Sequence, residues 1–122
     1  MTDVTHTLIA ADLAALVDAL PIEPGGVRST RIHKGPGATI VRLSMDAGAV
    51  MKEHLAQAPL LVSVLDGRVA LEVGGERIEL GAGGLLQIAE RVPHAVEALA
   101  PSHLLLILGV RAATTPEADA AG

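Results

Sequence analysis

The sequence contains no cysteine and no phenylalanine, tyrosine or tryptophan. The absence of cysteine excludes disulfide bonds, thiolate metal sites and cysteine nucleophiles. The absence of aromatic rings excludes base-stacking platforms, cation–π cages and a tyrosine that acts as an acid or base. Hydrophobic residues nevertheless make up 50% of the 122-residue chain. A core must therefore be built from aliphatic side chains alone.

Clusters of basic residues and long apolar runs are missing as well. The nine Lys and Arg residues are scattered and the net charge is −5, so we expect no nucleic-acid partner. The longest apolar run, Leu104–Val110, has the length of a strand, so we expect no membrane association. The N-terminus lacks the basic and apolar regions of a signal peptide. Together with the lack of cysteine, this favours a cytoplasmic protein.

The N-terminal region has a helical period. Thr7 is a suitable N-cap and Pro21 would end a helix, which predicts an amphipathic helix over residues 8–20. Apolar residues recur at the spacing of one helical face, at Ile9, Leu13, Leu16, Val17 and Leu20.

From residue 27 onward the period changes to two, which predicts a series of short strands. Asp66-Gly67 and Gly74-Gly75 each predict a two-residue hairpin. Short strands at this spacing are typical of an all-β sandwich or barrel. We therefore divide the chain into a helix and turn (1–26), a β domain (27–110) and a disordered tail (111–122). The predicted strands are 27–33, 38–45, 50–55, 60–65, 68–73, 76–80, 85–89, 94–99 and 103–110.

Two histidines lie in segments that otherwise have the pattern of strands: His54, six residues after Gly48, and His94, directly after Pro93. In these residues the β domain resembles the cupin family of small barrels. That family's first motif is Gly, five residues, His, any residue, His, three or four residues, Glu, six residues, Gly. Gly48, His54 and Gly67 fall in register with it. Ala56 stands at the second histidine position and Leu60 at the glutamate position.

The family's second motif is Gly, five residues, Pro, any residue, Gly, two residues, His, three residues, Asn. His94 matches its histidine, and Ala98 replaces its asparagine. The resemblance covers roughly residues 38–110 and implies a small single-domain, RmlC-like cupin: an antiparallel β-barrel of the jelly-roll type, here with an N-terminal helix. It also implies that His54 and His94 are the metal ligands retained by this chain, for a divalent ion such as Zn, Fe, Mn, Ni or Cu.

Strand alternation predicts the lining of a pocket around these two histidines. If His54 points inward, Lys52 and Ala56 share its direction, because side chains two residues apart lie on one face. His33 and His103 are interpreted as surface or strand-end residues. The other inward positions carry no hydrogen-bonding group: Leu60, Val62, Val64, Val96 and Ala98.

These residues predict a pocket for a small, largely apolar molecule, oriented by two imidazoles. A metal held by only two protein ligands would be bound weakly, and the sequence offers no obvious third ligand. Two other functions are compatible with the same residues: a metal-dependent enzyme of the dioxygenase or isomerase kind, and a structural or partner-binding barrel without ligand. The strand at residues 102–110 is apolar on both faces, which together with the helix predicts a homodimer.

Overall fold

A computed structural model describes residues 5–35 and 37–109. Within them the chain forms one short helix and nine strands, so the predicted all-β fold class is confirmed. No helix among these residues is long and apolar enough to cross a membrane. Val110 and the predicted tail at 111–122 lie outside the described residues. The elements are α1 (Leu13–Val17), β1 (Val27–Lys34), β2 (Ala38–Met45), β3 (Val50–His54), β4 (Leu60–Asp66), β5 (Arg68–Val73), β6 (Glu76–Gly81), β7 (Leu85–Ile88), β8 (His94–Ala98) and β9 (Ser102–Gly109).

The strands form two antiparallel sheets that face each other. One has five strands in the order β1-β2-β9-β4-β7, and the other has four in the order β3-β8-β5-β6. Each strand contributes alternate side chains to the space between the sheets. The most deeply buried of these are aliphatic or Met side chains, including Leu43, Met45, Val64, Leu71 and Leu104, each at 1% exposure or less. The core is thus filled without any aromatic ring.

The two dipeptides that each predict a hairpin have different roles in the structure. Gly74-Gly75 forms the predicted hairpin between β5 and β6, and both residues have positive φ. The hairpin predicted at Asp66-Gly67 is wrong, because β4 and β5 lie in different sheets. Gly67, at φ +84°, turns the chain from one sheet to the other. A methyl group at Gly67 would overlap the Ser102 hydroxyl and the Pro101 carbonyl, so this corner requires glycine.

The N-terminal helix is shorter than the sequence predicts. Helix α1 spans five residues, and its N-cap is Asp12, whose Oδ1 accepts a hydrogen bond from the Ala15 N–H at 2.9 Å. The predicted apolar face is largely exposed. Leu13 is 54% exposed, and of the five apolar residues on this face only Leu20, which lies beyond the end of the helix, is buried, at 3% exposure. A helix without an apolar surface to cover it gains little from extending, which explains the short helix.

The segment that follows α1 is held on the outer face of the five-stranded sheet by donors from β2 and β9. The Ser44 hydroxyl donates to the Pro21 carbonyl at 3.2 Å, and Nε2 of His103 donates to the Leu20 carbonyl at 2.9 Å. Nδ1 of His103 lies 2.9 Å from Oδ1 of Asp66, which also accepts the His103 backbone N–H at 2.8 Å. His103 is the second residue of β9, so its interpretation as a strand-end residue is confirmed. The alternative of a surface residue is wrong, since His103 is 6% exposed and contacts this segment.

The turn between the N-terminal segment and β1 is fixed by Asp46, at the end of β2. The Asp46 carboxylate accepts the Gly25 N–H at 2.7 Å and the Ala47 N–H at 2.8 Å. These two backbone donors lower the pKa of Asp46, because they stabilise its charged form.

Candidate functional site

The predicted site lies at one end of the barrel, which we call the histidine end. Two loops meet there: residues 55–59 lead from β3 to β4, and residues 89–93 lead from β7 to β8. Both loops pass from one sheet to the other. Leu60 begins β4 at this end and pairs with Ile88 on one side and with Leu108 on the other.

Backbone hydrogen bonds hold the loops of the histidine end together. The Arg91 N–H donates to the Ala56 carbonyl at 2.8 Å, which joins the loop that follows β3 to the loop that precedes β8. The Gly74 N–H donates to the Pro93 carbonyl at 3.1 Å, so the β5–β6 hairpin supports the same loop. These bonds fix the backbone on both sides of the two histidines.

His94 begins β8 and is almost completely buried, at 2% exposure. Its Nδ1 lies 3.0 Å from the Val92 carbonyl. A carbonyl oxygen can only accept, so Nδ1 carries the proton, and in the neutral ring Nε2 is the nitrogen with a lone pair. This bond to a backbone carbonyl is the arrangement that orients histidine ligands in metal sites.

The backbone of His54 lies directly opposite that of His94 in the β3–β8 pair. The register shifts between Met51 and His54, because a bulge inserts an extra residue there. Met51 therefore packs against the core, whereas Lys52 is exposed, and the inward direction predicted for Lys52 is wrong. The side chain of His54 lies outside the described part of the structure, so its meeting with His94 stays a prediction.

The predicted lining positions are placed as follows. Ala56 is half-buried and lies in the loop after β3 rather than on a strand. The remaining positions are buried between the sheets, with exposures of 3% or less: Leu60, Val62, Val64, Val96 and Ala98. The interior next to the histidine end is therefore aliphatic, and the role of these residues as ligand contacts stays a prediction.

Sequence reasoning missed two residues in the loop before His94. Glu90 is half-buried, and its Oε2 is inaccessible to solvent. Arg91 is exposed and has φ +61°, the only positive φ of a non-glycine residue that the structure describes. The second cupin motif has glycine three residues before its histidine, at position 91 here. That spacing is the signal from which the left-handed backbone of Arg91 could have been found.

The described side chains alone do not complete a metal site. Among them, with His54 not included, no three His, Asp, Glu or Cys side chains gather closely enough to hold one ion. His103 and His33 are not available either. His103 is engaged on the outer face of the five-stranded sheet, and the ring of His33 lies over Gly35 in the β1–β2 turn.

Comparison with known proteins identifies the family of this chain. Residues 41–108 match the profile of a family described as Cupin domain. The chain belongs to the cupin family. The resemblance found in its motifs is therefore confirmed. No curated protein sequence matches this cupin.

Solved structures agree with this fold. A conserved protein of unknown function from Streptococcus pyogenes is 20% identical, with a TM-score of 0.75 over 88% of this chain and 92% of that one. A cupin 2 conserved barrel domain protein from Leptotrichia buccalis is 27% identical, with a TM-score of 0.74 over 79% of this chain and 47% of that one. KdgF from a Halomonas species is 25% identical, with a TM-score of 0.66 over 74% of this chain and 83% of that one.

Proposed function

We propose that this cupin binds a small, largely apolar molecule at its histidine end, with the help of a weakly held divalent metal. The observation that carries the proposal is the state of His94. Its imidazole is buried in an aliphatic interior. Because Nδ1 donates its proton to the Val92 carbonyl, Nε2 of the neutral ring carries the lone pair that can bind a metal. Barrels of this family are small-molecule binders, and they often hold a metal.

The two histidines are chemically suitable ligands for a divalent ion. Neutral imidazole is a good ligand for Zn, Fe, Cu and Ni, and two such rings can share one ion. His94 and His54 would hold it, since their backbones are directly paired. When bound, the ion would act as a Lewis acid that polarises one oxygen of the ligand. Because few protein ligands are present, we expect weak binding with several positions left to water or to the small molecule.

The chemistry of the lining favours an apolar ligand. Leu60, Val62 and Val96 offer no hydrogen-bond donor or acceptor in their side chains, and each unpaired hydroxyl buried against them would cost about 1–3 kcal/mol. The chain contains no Phe, Tyr or Trp that could stack on a sugar or a base. A ligand with an apolar body and a single carbonyl, hydroxyl or carboxylate group satisfies both conditions.

The test starts with protein purified without an affinity tag, because a tag would bind metal itself. Elemental analysis should find a divalent metal, at less than one ion per chain if binding is weak. In a thermal-shift screen, small apolar acids, ketones and phenols should raise the melting temperature more than sugar phosphates do. His94→Leu should abolish that shift. A larger shift with sugar phosphates would refute the proposed pocket.

We also propose a homodimer formed through the outer face of the five-stranded sheet. Leu61, Leu105 and Ile107 lie half-buried on this face, next to Leu85, which is 63% exposed. The outer face of the other sheet is charged instead, with Arg77 within 3.9 Å of three glutamates. The outer face of the five-stranded sheet thus offers a group of neighbouring apolar side chains, and burying it against a second copy is the favourable arrangement.

Light scattering tests the dimer. The particle mass should be about twice the chain mass of 12.4 kDa. Leu85→Glu should produce monomers, whereas Val50→Glu should not, because Val50 is 53% exposed on the opposite sheet. Equal behaviour of the two variants would contradict this interface.

A further inference from the structure

We propose that Arg91 binds a carboxylate of the small molecule, so that the ligand of this cupin is an apolar carboxylic acid. The inference rests on the proposed small-molecule site at the histidine end, and it names the ligand class and a residue that selects it. Neither a bound metal nor the side chain of His54 is required for it.

The backbone of Arg91 adopts a conformation that is strained for an arginine. Its φ of +61° lies in the left-handed region, where the Cβ of any residue other than glycine crowds the following carbonyl. The second cupin motif has glycine at this position, which would be free of strain. Strained backbone of this kind is concentrated at binding sites, where the side chain or the loop has a function. The arginine at this position therefore points to a function of its guanidinium group.

The charge of Arg91 is available to a ligand. The side chain is exposed, and in the part of the chain that the structure describes no hydrogen bond or ion pair joins it to another residue. Other arginines are engaged: Arg42 donates to backbone carbonyls of α1, and Arg77 lies within 3.9 Å of three glutamates. A guanidinium group is well matched to a carboxylate, because it offers two parallel N–H donors to the two oxygens.

Arg91 also lies beside the positions that define the site. Its backbone N–H donates to the Ala56 carbonyl at 2.8 Å, and Ala56 stands where the first cupin motif has its second histidine. His94 follows three residues after Arg91, and three residues of chain span at most about 11 Å. One small molecule can therefore contact both the long side chain of Arg91 and the interior next to His94.

An apolar acid suits both parts of this site. Its hydrocarbon part would lie against Leu60, Val62 and Val96, which are buried and have no polar side-chain atom. Its carboxylate would remain near the exposed Arg91, where it keeps part of its hydration. An amide of the same shape fits the interior equally well but carries no charge for the guanidinium group to attract. The site should therefore prefer the acid.

The experiment compares acids with amides of the same shape by calorimetry on tag-free protein. The pairs are butyrate with butyramide, hexanoate with hexanamide and benzoate with benzamide. The parent should bind an acid about fivefold more tightly than its amide, which corresponds to one exposed ion pair. Arg91→Gln should raise the Kd of the acid about fivefold and change that of the amide by less than about twofold. High salt should weaken the binding of the acid only, because it screens the ion pair.

Two further variants serve as controls. Arg28→Gln removes the same charge from an exposed position at the opposite end of the barrel, so it should change the Kd of the acid by less than about twofold. Arg91→Gly relieves the strained φ and removes the guanidinium group, so the loop is kept while the preference for acids should be lost as in Arg91→Gln. Loss of binding in Arg91→Gly thus cannot be attributed to a strained or unfolded loop.

The outcomes separate this inference from the proposed function. If acids and amides bind the parent equally well, or if both Arg91 variants keep the preference for acids, Arg91 does not bind the carboxylate, while the small-molecule site stands. If both Arg91 variants lose the amide together with the acid, Arg91 shapes the loop and the assignment is overturned. If no acid and no amide binds the parent, the proposed site is refuted and the role of Arg91 with it.

Discussion

Replacing His103 by alanine should detach the N-terminal segment from the barrel and lower the free energy of unfolding. The His103 ring connects two partners that are distant in sequence: the Leu20 carbonyl at 2.9 Å and Oδ1 of Asp66 at 2.9 Å. Both partners are hydrogen-bond acceptors, so each ring nitrogen lies next to an acceptor oxygen. The substitution removes both bonds and leaves the Leu20 carbonyl without its donor.

The expected loss follows from these contacts. The side chain of Asp66 is 46% exposed, so solvent screening limits its pair with His103 to about 1 kcal/mol. The bond to Leu20 contributes about 1 kcal/mol, and a buried carbonyl left without a donor costs a further ~1 kcal/mol. We therefore expect the variant to lose about 2–3 kcal/mol, a large share of the stability of a small domain.

Urea denaturation at neutral pH measures this loss. His6→Ala is the matched control, because His6 is exposed before α1, and its effect should stay below about 0.5 kcal/mol. In a double-mutant cycle with Asp66→Asn, the two positions should show a coupling of at least about 0.5 kcal/mol. A loss below about 1 kcal/mol for His103→Ala, or additive effects in the cycle, would refute this account of how the segment is held.

Three further predictions concern the backbone and the response to acid. Arg91→Gly should raise the free energy of unfolding by up to about 1 kcal/mol in chemical denaturation, because glycine adopts the φ of +61° without strain; a loss would show that the Arg91 side chain stabilises the loop. Gly67→Ala should cost about 3 kcal/mol or more and Gly37→Ala only about 1 kcal/mol, since both have positive φ but only Gly67 has atoms in the way; equal melting temperatures would contradict this. The lowered pKa of Asp46 means that its contribution to stability is fully present above the usual aspartate pKa of about 3.9 and is lost as the pH falls through the lower folded value. Asp46→Asn should therefore lower stability at pH 7 and flatten its decline in acid-denaturation curves, and an unchanged acid limb would argue against this role.

Local signals in the sequence were sufficient for the strands and for the family. The alternation of apolar residues identified strands such as β4 and β5, because a strand buried on one face must repeat every two residues. The Gly74-Gly75 hairpin was also predictable, since its positive φ angles are a property of two adjacent residues. The spacing of Gly48, His54 and Gly67 then indicated the cupin fold.

Predictions failed where the structure of a residue depends on partners that are distant in sequence. Asp66-Gly67 has the sequence of a hairpin, but it connects two different sheets and lies against Pro101 and Ser102, which are far along the chain. The bulge before His54 exists only in relation to β8, so counting residues gave Lys52 the wrong direction. His103 is buried because Leu20 and Asp66 meet it, and neither is near it in sequence.

The amino-acid sequence by itself determined the elements of this protein. These are short strands with aliphatic residues at every second position, glycines where the backbone turns, and two histidines at motif positions. These are consequences of local sterics and of which side chains avoid water. Only the tertiary structure decided which sheet each strand joins, that Arg91 lies beside the chain after His54, and that Val92 orients His94. Such contacts arise when remote segments pack together, and no local pattern of residues records them.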